Sequence, residues 1–158
     1  MKLLILILCL GLFQTTNAEE LAGGWNYAWQ MYLATNDHET SFKRFKVLAE
    51  QGKYMAQHQL GWMYQKGEGV KRNHKEAAHW YRKAAEQGDT LAQIDLGLMY
   101  AYGQGGIQNY IKAHAWLSVA GFRGQHIANV EREKVAELML PEQILKAQLF
   151  AEELASVE

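Results

Sequence analysis

Residues 56–88 read AQHQLGWMYQKGEGVKRNHKEAAHWYRKAAEQG, and residues 92–124 read AQIDLGLMYAYGQGGIQNYIKAHAWLSVAGFRG. Set one above the other at an offset of 36, they agree at 13 of 33 positions, among them Leu60/Leu96, Gly61/Gly97, Tyr64/Tyr100, Asn73/Asn109, Trp80/Trp116 and Gly88/Gly124. Ordinary residue frequencies would give about 2 such matches. A fixed period of this length marks a stacked repeat, in which each unit buries its apolar face only against its neighbours.

Each copy reads as a helical hairpin. Ala56, Leu60 and Tyr64 recur every four residues and make a stripe down a first helix. Gly61 lies inside that helix at a cost of about 1 kcal/mol relative to Ala. Its return at Gly97 implies close approach by the partner helix, which carries the large ring of Trp80. Gly67 and Gly69 form a turn in which positive φ is free of a Cβ clash. Ala77, Trp80, Tyr81 and Ala84 then stand at i, i+3, i+4 and i+7 of a second helix, with Gly88 as its left-handed stop. Asp89 or Thr90 is placed to cap the next helix.

The pattern extends outward in both directions. Residues 85–88, Ala-Glu-Gln-Gly, also stand at 49–52, so the helix carrying Phe42, Phe45, Leu48 and Ala49 is the second half of an earlier, degenerate unit. Asp37 or Asn36 is placed to cap it. Trp25, Ala28, Trp29 and Tyr32 give residues 19–33 a helical pattern of their own. Downstream, a third first-helix begins near His126 and drifts, with Arg132 where Leu60 and Leu96 stood. The single proline, Pro141, suits the first turn of a last helix whose Ile144, Ala147, Ala151 and Leu154 share a face. The domain reading is therefore a degenerate repeat at 19–52, repeats at 53–88 and 89–124, and a half repeat with a C-terminal cap at 125–158.

Residues 1–18 stand apart. Lys2, the apolar run 3–13 and Thr16-Asn17-Ala18 have the form of a secretory signal peptide cleaved after Ala18, too short to span a bilayer. Cys9, the one cysteine, falls inside it, so the remaining 140 residues would fold without disulfides. Removing Lys2 from the 16 basic residues leaves 15 against 17 acidic ones, a net charge near −2. That argues against nucleic acid or an anionic membrane as the main partner. The expected location is periplasmic or secreted, with no stable membrane insertion after cleavage.

At Ala56, Leu60-Gly61, Tyr64, Gly67, Gly69-Val70, Ala77, Trp80-Tyr81, Lys83-Ala84-Ala85 and Gly88, and again at Ala92, Leu96-Gly97, Tyr100, Gly103, Gly105, Lys112-Ala113, Trp116, Ala120 and Gly124, the chain resembles the Sel1-like repeat family of tetratricopeptide-like solenoids. It departs from that pattern at Asn73 and Asn109 (usually Asp), Glu76 (usually Lys) and Gly106 (usually Val). The resemblance implies an all-α, α/α superhelical solenoid with a C-terminal capping helix and a protein-binding role. It implies no chemistry of its own.

The residues offer little chemistry either. His74 and His79 are five apart and point about 140° apart on a helix, and His38-Glu39 lacks the second histidine of a zinc-protease motif. Gly67-Glu68-Gly69 and Gly103–Gly106 join helices with no Gly-Lys-Ser/Thr after them. Ser41, Ser118 and Ser156 have no nucleophile-elbow setting, and Glu131, Glu133 and Glu137 read as a solvated face. Lys71, Arg72, His74 and Lys75 form a basic group that is either solvated or the rim of an acidic contact. No catalytic residue, metal site or cofactor is expected.

The apolar anomaly is a second strip beside the core stripe. By analogy with related solenoids, where first helices line the concave surface, it comprises Met55, His58 and Trp62 in one unit and Leu91, Ile94 and Leu98 in the next. An exposed strip marks a partner site, with Trp62 as its anchor, unless a terminal helix folds over it. The leading reading is an exported module that binds a protein or peptide in this groove. The alternatives are an inhibitor or immunity-type binder of one exported enzyme and, by analogy with cysteine-rich relatives of the family, a hydrolase of cell-wall or β-lactam substrates.

Overall fold

The computed structural model describes residues 28, 32–34, 37–106 and 108–156. The expected signal segment and most of residues 19–36 lie outside them. Seven helices follow one another: α1 (His38–Glu50), α2 (Tyr54–Lys66), α3 (His74–Ala85), α4 (Thr90–Tyr102), α5 (Tyr110–Phe122), α6 (His126–Ala136) and α7 (Pro141–Ser156). Ala28 and residues 32–34 are helical too, and no strand occurs among the described residues. The all-α solenoid expected from the repeat is the observed fold.

Local chemistry sets the boundaries. Asp37, Asn73, Asp89 and Asn109 each accept a hydrogen bond from a backbone N–H in the first turn of α1, α3, α4 and α5, meeting donors that a helix start leaves orphaned. Asparagine caps as aspartate would, so the departures at positions 73 and 109 preserve the boundary.

Packing runs between neighbours: α1 on α2, α2 on α3, α3 on α4, α4 on α5 and α5 on α6. Helix α7 breaks the rule by packing against α5, where Ala151 joins Ala115 and Val119. Three larger clusters succeed one another along the solenoid: Phe45, Leu60, Met63 and Trp80 in the first, Tyr81, Leu96, Met99 and Trp116 in the second, and Leu117, Ala128, Val135 and Ala147 in the third.

Two polar devices tie successive units. The buried side chains of Gln57 and Gln93, one period apart, donate to the carbonyls of Ala49 and Ala85, both at 3.1 Å. Each buried Nε2 donor is thereby paired with a backbone acceptor of the preceding unit, which sets register. The glycine turns supply the second device. Gly69 and Gly105 have φ of 70° and 81°, and a Cβ there would fall 2.0 and 2.4 Å from the carbonyl oxygens of His38 and His74 at the start of the preceding unit's second helix. Each turn therefore keys onto the unit before it.

The close approach at Gly61 is real, but its neighbour is not Trp80. A Cβ on Gly61 would lie 2.7 Å from Cδ1 of Tyr81, and one on Gly97 would lie 2.8 Å from Cγ of Leu117. Consecutive helical residues point about 100° apart. Tyr81 thus faces Gly61 of its own hairpin partner, while Trp80 joins the first cluster, which unites Leu60 and Met63 of α2 with Phe45 and Ala49 of the preceding unit.

Candidate protein-binding surface

The six strip residues separate into two groups. Met55 and Leu91, one period apart at the starts of α2 and α4, are 45% and 54% exposed. Ile94 is only 7% exposed and belongs to the third core cluster, against which Leu98 also packs. That cluster draws on Ala128 and Val135 of α6 and Ala147 of α7, so the third unit and the C-terminal cap close over Ile94 and Leu98 but not Leu91. Trp62 is half-buried. It packs against the first two clusters, and the ring of Tyr32 stands edge-on to it at 6.1 Å.

His58 keeps a polar role within the strip. Its Nε2 lies 2.8 Å from Oδ2 of Asp95, joining the first helices of two successive units. Its ring lies 5.4 Å from that of Tyr81, whose hydroxyl donates to Oε1 of Gln65 at 2.9 Å. Burial pushes the Tyr81 phenol above its ordinary range, with the Asp95 charge adding to it. At the N-terminal end, Tyr32 donates to Glu68 at 2.5 Å, and burial, then this bond, raises its pKa to about 12.

The exposed row extends beyond the six strip residues. Ile127, one further period on from Leu91, is 57% exposed at the start of α6, and Val130 is exposed one turn later. Met55, Leu91 and Ile127 therefore put one exposed apolar side chain at the same place in three successive units. The sequence aligns residues 124–128 with 52–56 and 88–92, which sets Ile127 beside Met55 and Leu91, but the strip read from the sequence stopped at the second unit.

Among the described residues no group of three His, Cys, Asp or Glu side chains is gathered that could hold a metal ion, and no helix is long and apolar enough to cross a membrane.

The Sel1 repeat model matches residues 55–89 and 90–121, two adjoining units in register with the hairpins described above. The chain is built on Sel1 repeats. This Sel1-like chain is similar to the solved structure of c5321, described as a protective antigen present in uropathogenic Escherichia coli strains and displaying an SLR fold. The identity is 30% and the TM-score 0.81, over 88% of this chain and 31% of that one. It is also similar to a Sel1 repeat protein from Oxalobacter formigenes, at 33% identity and a TM-score of 0.64, over 73% of this chain and 47% of that one. The chain thus spans about a third to a half of the length of these longer Sel1-like structures. No curated protein matches it.

Proposed function

We propose that this Sel1-like chain is an exported, non-catalytic binding module that holds a protein or peptide along the row of first helices. Sel1 repeat proteins are generally protein-interaction modules. The observation that carries the reading here is the exposed apolar row Met55, Leu91 and Ile127, one residue per unit. A solvent-facing apolar side chain that returns at every period fits an elongated partner better than chance exposure does. The half-buried Trp62 forms the inner edge of that surface, and the His58–Asp95 pair supplies a polar contact beside it. The signal-like segment 1–18 supports export.

The test is affinity capture from envelope extract with wild type, Met55→Ser/Leu91→Ser and Trp62→Ala in parallel, with circular dichroism checking the fold of each. Loss of the captured species in the double variant, with helicity and melting unchanged, is the expected result. Equal capture by the double variant and wild type overturns the assignment of this surface. Trp62→Ala is expected to lower the melting temperature as well, because part of its ring is packed in the core.

A further inference from the structure

On a different face of α4 from Leu91, Ile94 and Leu98, a cavity of about 420 Å³ opens between α3, α4 and the turn leading into α5. Ala78, Met99 and Tyr100 give it an apolar floor, while Arg82 and Lys112 give it a cationic rim. The preceding unit shows the same place in a filled state. One period back, Leu60, Met63 and Tyr64 match Leu96, Met99 and Tyr100, but Phe42 stands for Ala78 and Val70 for Gly106. The Phe42 ring lies edge-on against Tyr64 at 5.3 Å. The second unit keeps the tyrosine and deletes the ring that covers it.

The charges change at the same positions. Glu68 and Glu76 in the first unit become Gln104 and Lys112 in the second. Both cations converge on Tyr100: Arg82 Nη2 donates to its hydroxyl at 2.6 Å, and Lys112 Nζ lies 5.4 Å from its ring centroid. Neither has a carboxylate within ion-pair distance among the described residues. An apolar slot that takes one aromatic ring, bordered by an Arg and a Lys without acidic partners, is complementary to a ring carrying a carboxylate.

We propose that this cavity binds an aromatic carboxylate. The ring takes against Tyr100 the place that Phe42 takes against Tyr64, and the carboxylate pairs with Arg82 and Lys112. A free aryl-alkanoic acid and a chain ending in phenylalanine share this chemistry. The site is independent of the apolar row.

The experiment is titration of the ¹⁵N-labelled full chain with 3-phenylpropionate, N-acetyl-phenylalanine, its amide, and the tripeptide Gly-Gly-Phe, following amide shifts around Tyr100 and Lys112. Saturable shifts with the acids, and binding about tenfold weaker or worse for the amide, are expected. Gly-Gly-Phe binding about tenfold tighter than 3-phenylpropionate would identify a chain terminus as the natural source, and equal affinity would identify a free acid. Ala78→Phe, which restores the ring that Phe42 supplies one period back, is expected to abolish the shifts. The exposed Lys112→Glu, which restores the charge that Glu76 supplies one period back, is expected to weaken binding about tenfold or more, and it keeps the test decisive if Ala78→Phe misfolds. No saturable shift up to about 10 mM ligand, equal binding of acid and amide, or wild-type affinity in Lys112→Glu overturns the proposal.

Discussion

Gly61→Ala offers a sharp test of how the hairpins pack, because two effects of known sign oppose each other. Replacing a mid-helix glycine by alanine stabilises an open helix by about 1 kcal/mol. At Gly61 the new methyl would sit 2.7 Å from Cδ1 and 2.9 Å from Cε1 of Tyr81. That ring is fully buried, and its hydroxyl is fixed to Gln65. It cannot swing aside, so the backbones must part. Overpacking of this kind costs about 1–3 kcal/mol. Set against the propensity gain, the net expectation is a loss of up to about 2 kcal/mol, read as a lower urea midpoint by circular dichroism at 222 nm. In a Tyr81→Ala background the clash disappears, and Gly61→Ala should then stabilise by about 1 kcal/mol. The coupling between the two sites is therefore the clash itself, about 1–3 kcal/mol. A stabilising Gly61→Ala in the wild-type background, or additivity of the two changes, would refute the packing argument.

The remaining predictions concern polar groups. Gln93→Leu removes the donor to the Ala85 carbonyl; since Gly88 N–H still donates to that oxygen at 3.0 Å, the cost should stay near 1 kcal/mol in urea unfolding. Asp89→Ala should cost about 1 kcal/mol by loss of the cap on α4, and Asp89→Asn should recover most of it in the same assay. His114 is buried in α5, and burial, with the Arg132 charge second, holds its pKa below the ordinary 6.5. The unfolded chain therefore takes up the proton first as pH falls. The His114 contribution is full above pH 6.5 and is lost below it, at up to about 1.4 kcal/mol per pH unit, until the folded protein also protonates. His114→Gln should flatten that part of the curve in urea titrations across the acidic range, and an unchanged slope would exclude His114 as its source.

Much of the fold was legible because the determinants of a hairpin are local. The caps at Asp37 and Asp89, the turn glycines and the stripe through Ala56 and Leu60 depend on residues a few positions apart, and a period repeats them. What the sequence concealed was which neighbour each face meets. Trp80 and Tyr81 are both large and adjacent, and only the placement of α2 and the preceding unit decides which ring Gly61 meets. Ile94 looked like the partner of His58 in an open strip, yet it is buried because the third unit and the cap close over that end. The cavity over Tyr100 depends on an absence, the ring that Phe42 has and Ala78 lacks. It emerges only when the degenerate unit at 19–52 is aligned in register with the repeat at 53–88.

The docking of α7 across α6 onto α5 has a consequence for the order of folding. Every other major helix contact joins elements consecutive in the chain, so each hairpin has its packing surface available soon after it leaves the ribosome. Only the final helix must reach past a finished neighbour, to cover Ala115 and Val119. The nascent chain thus keeps a greasy outer face on α5 uncovered until α7 has been made, and that interval is when this face most needs protection from aggregation.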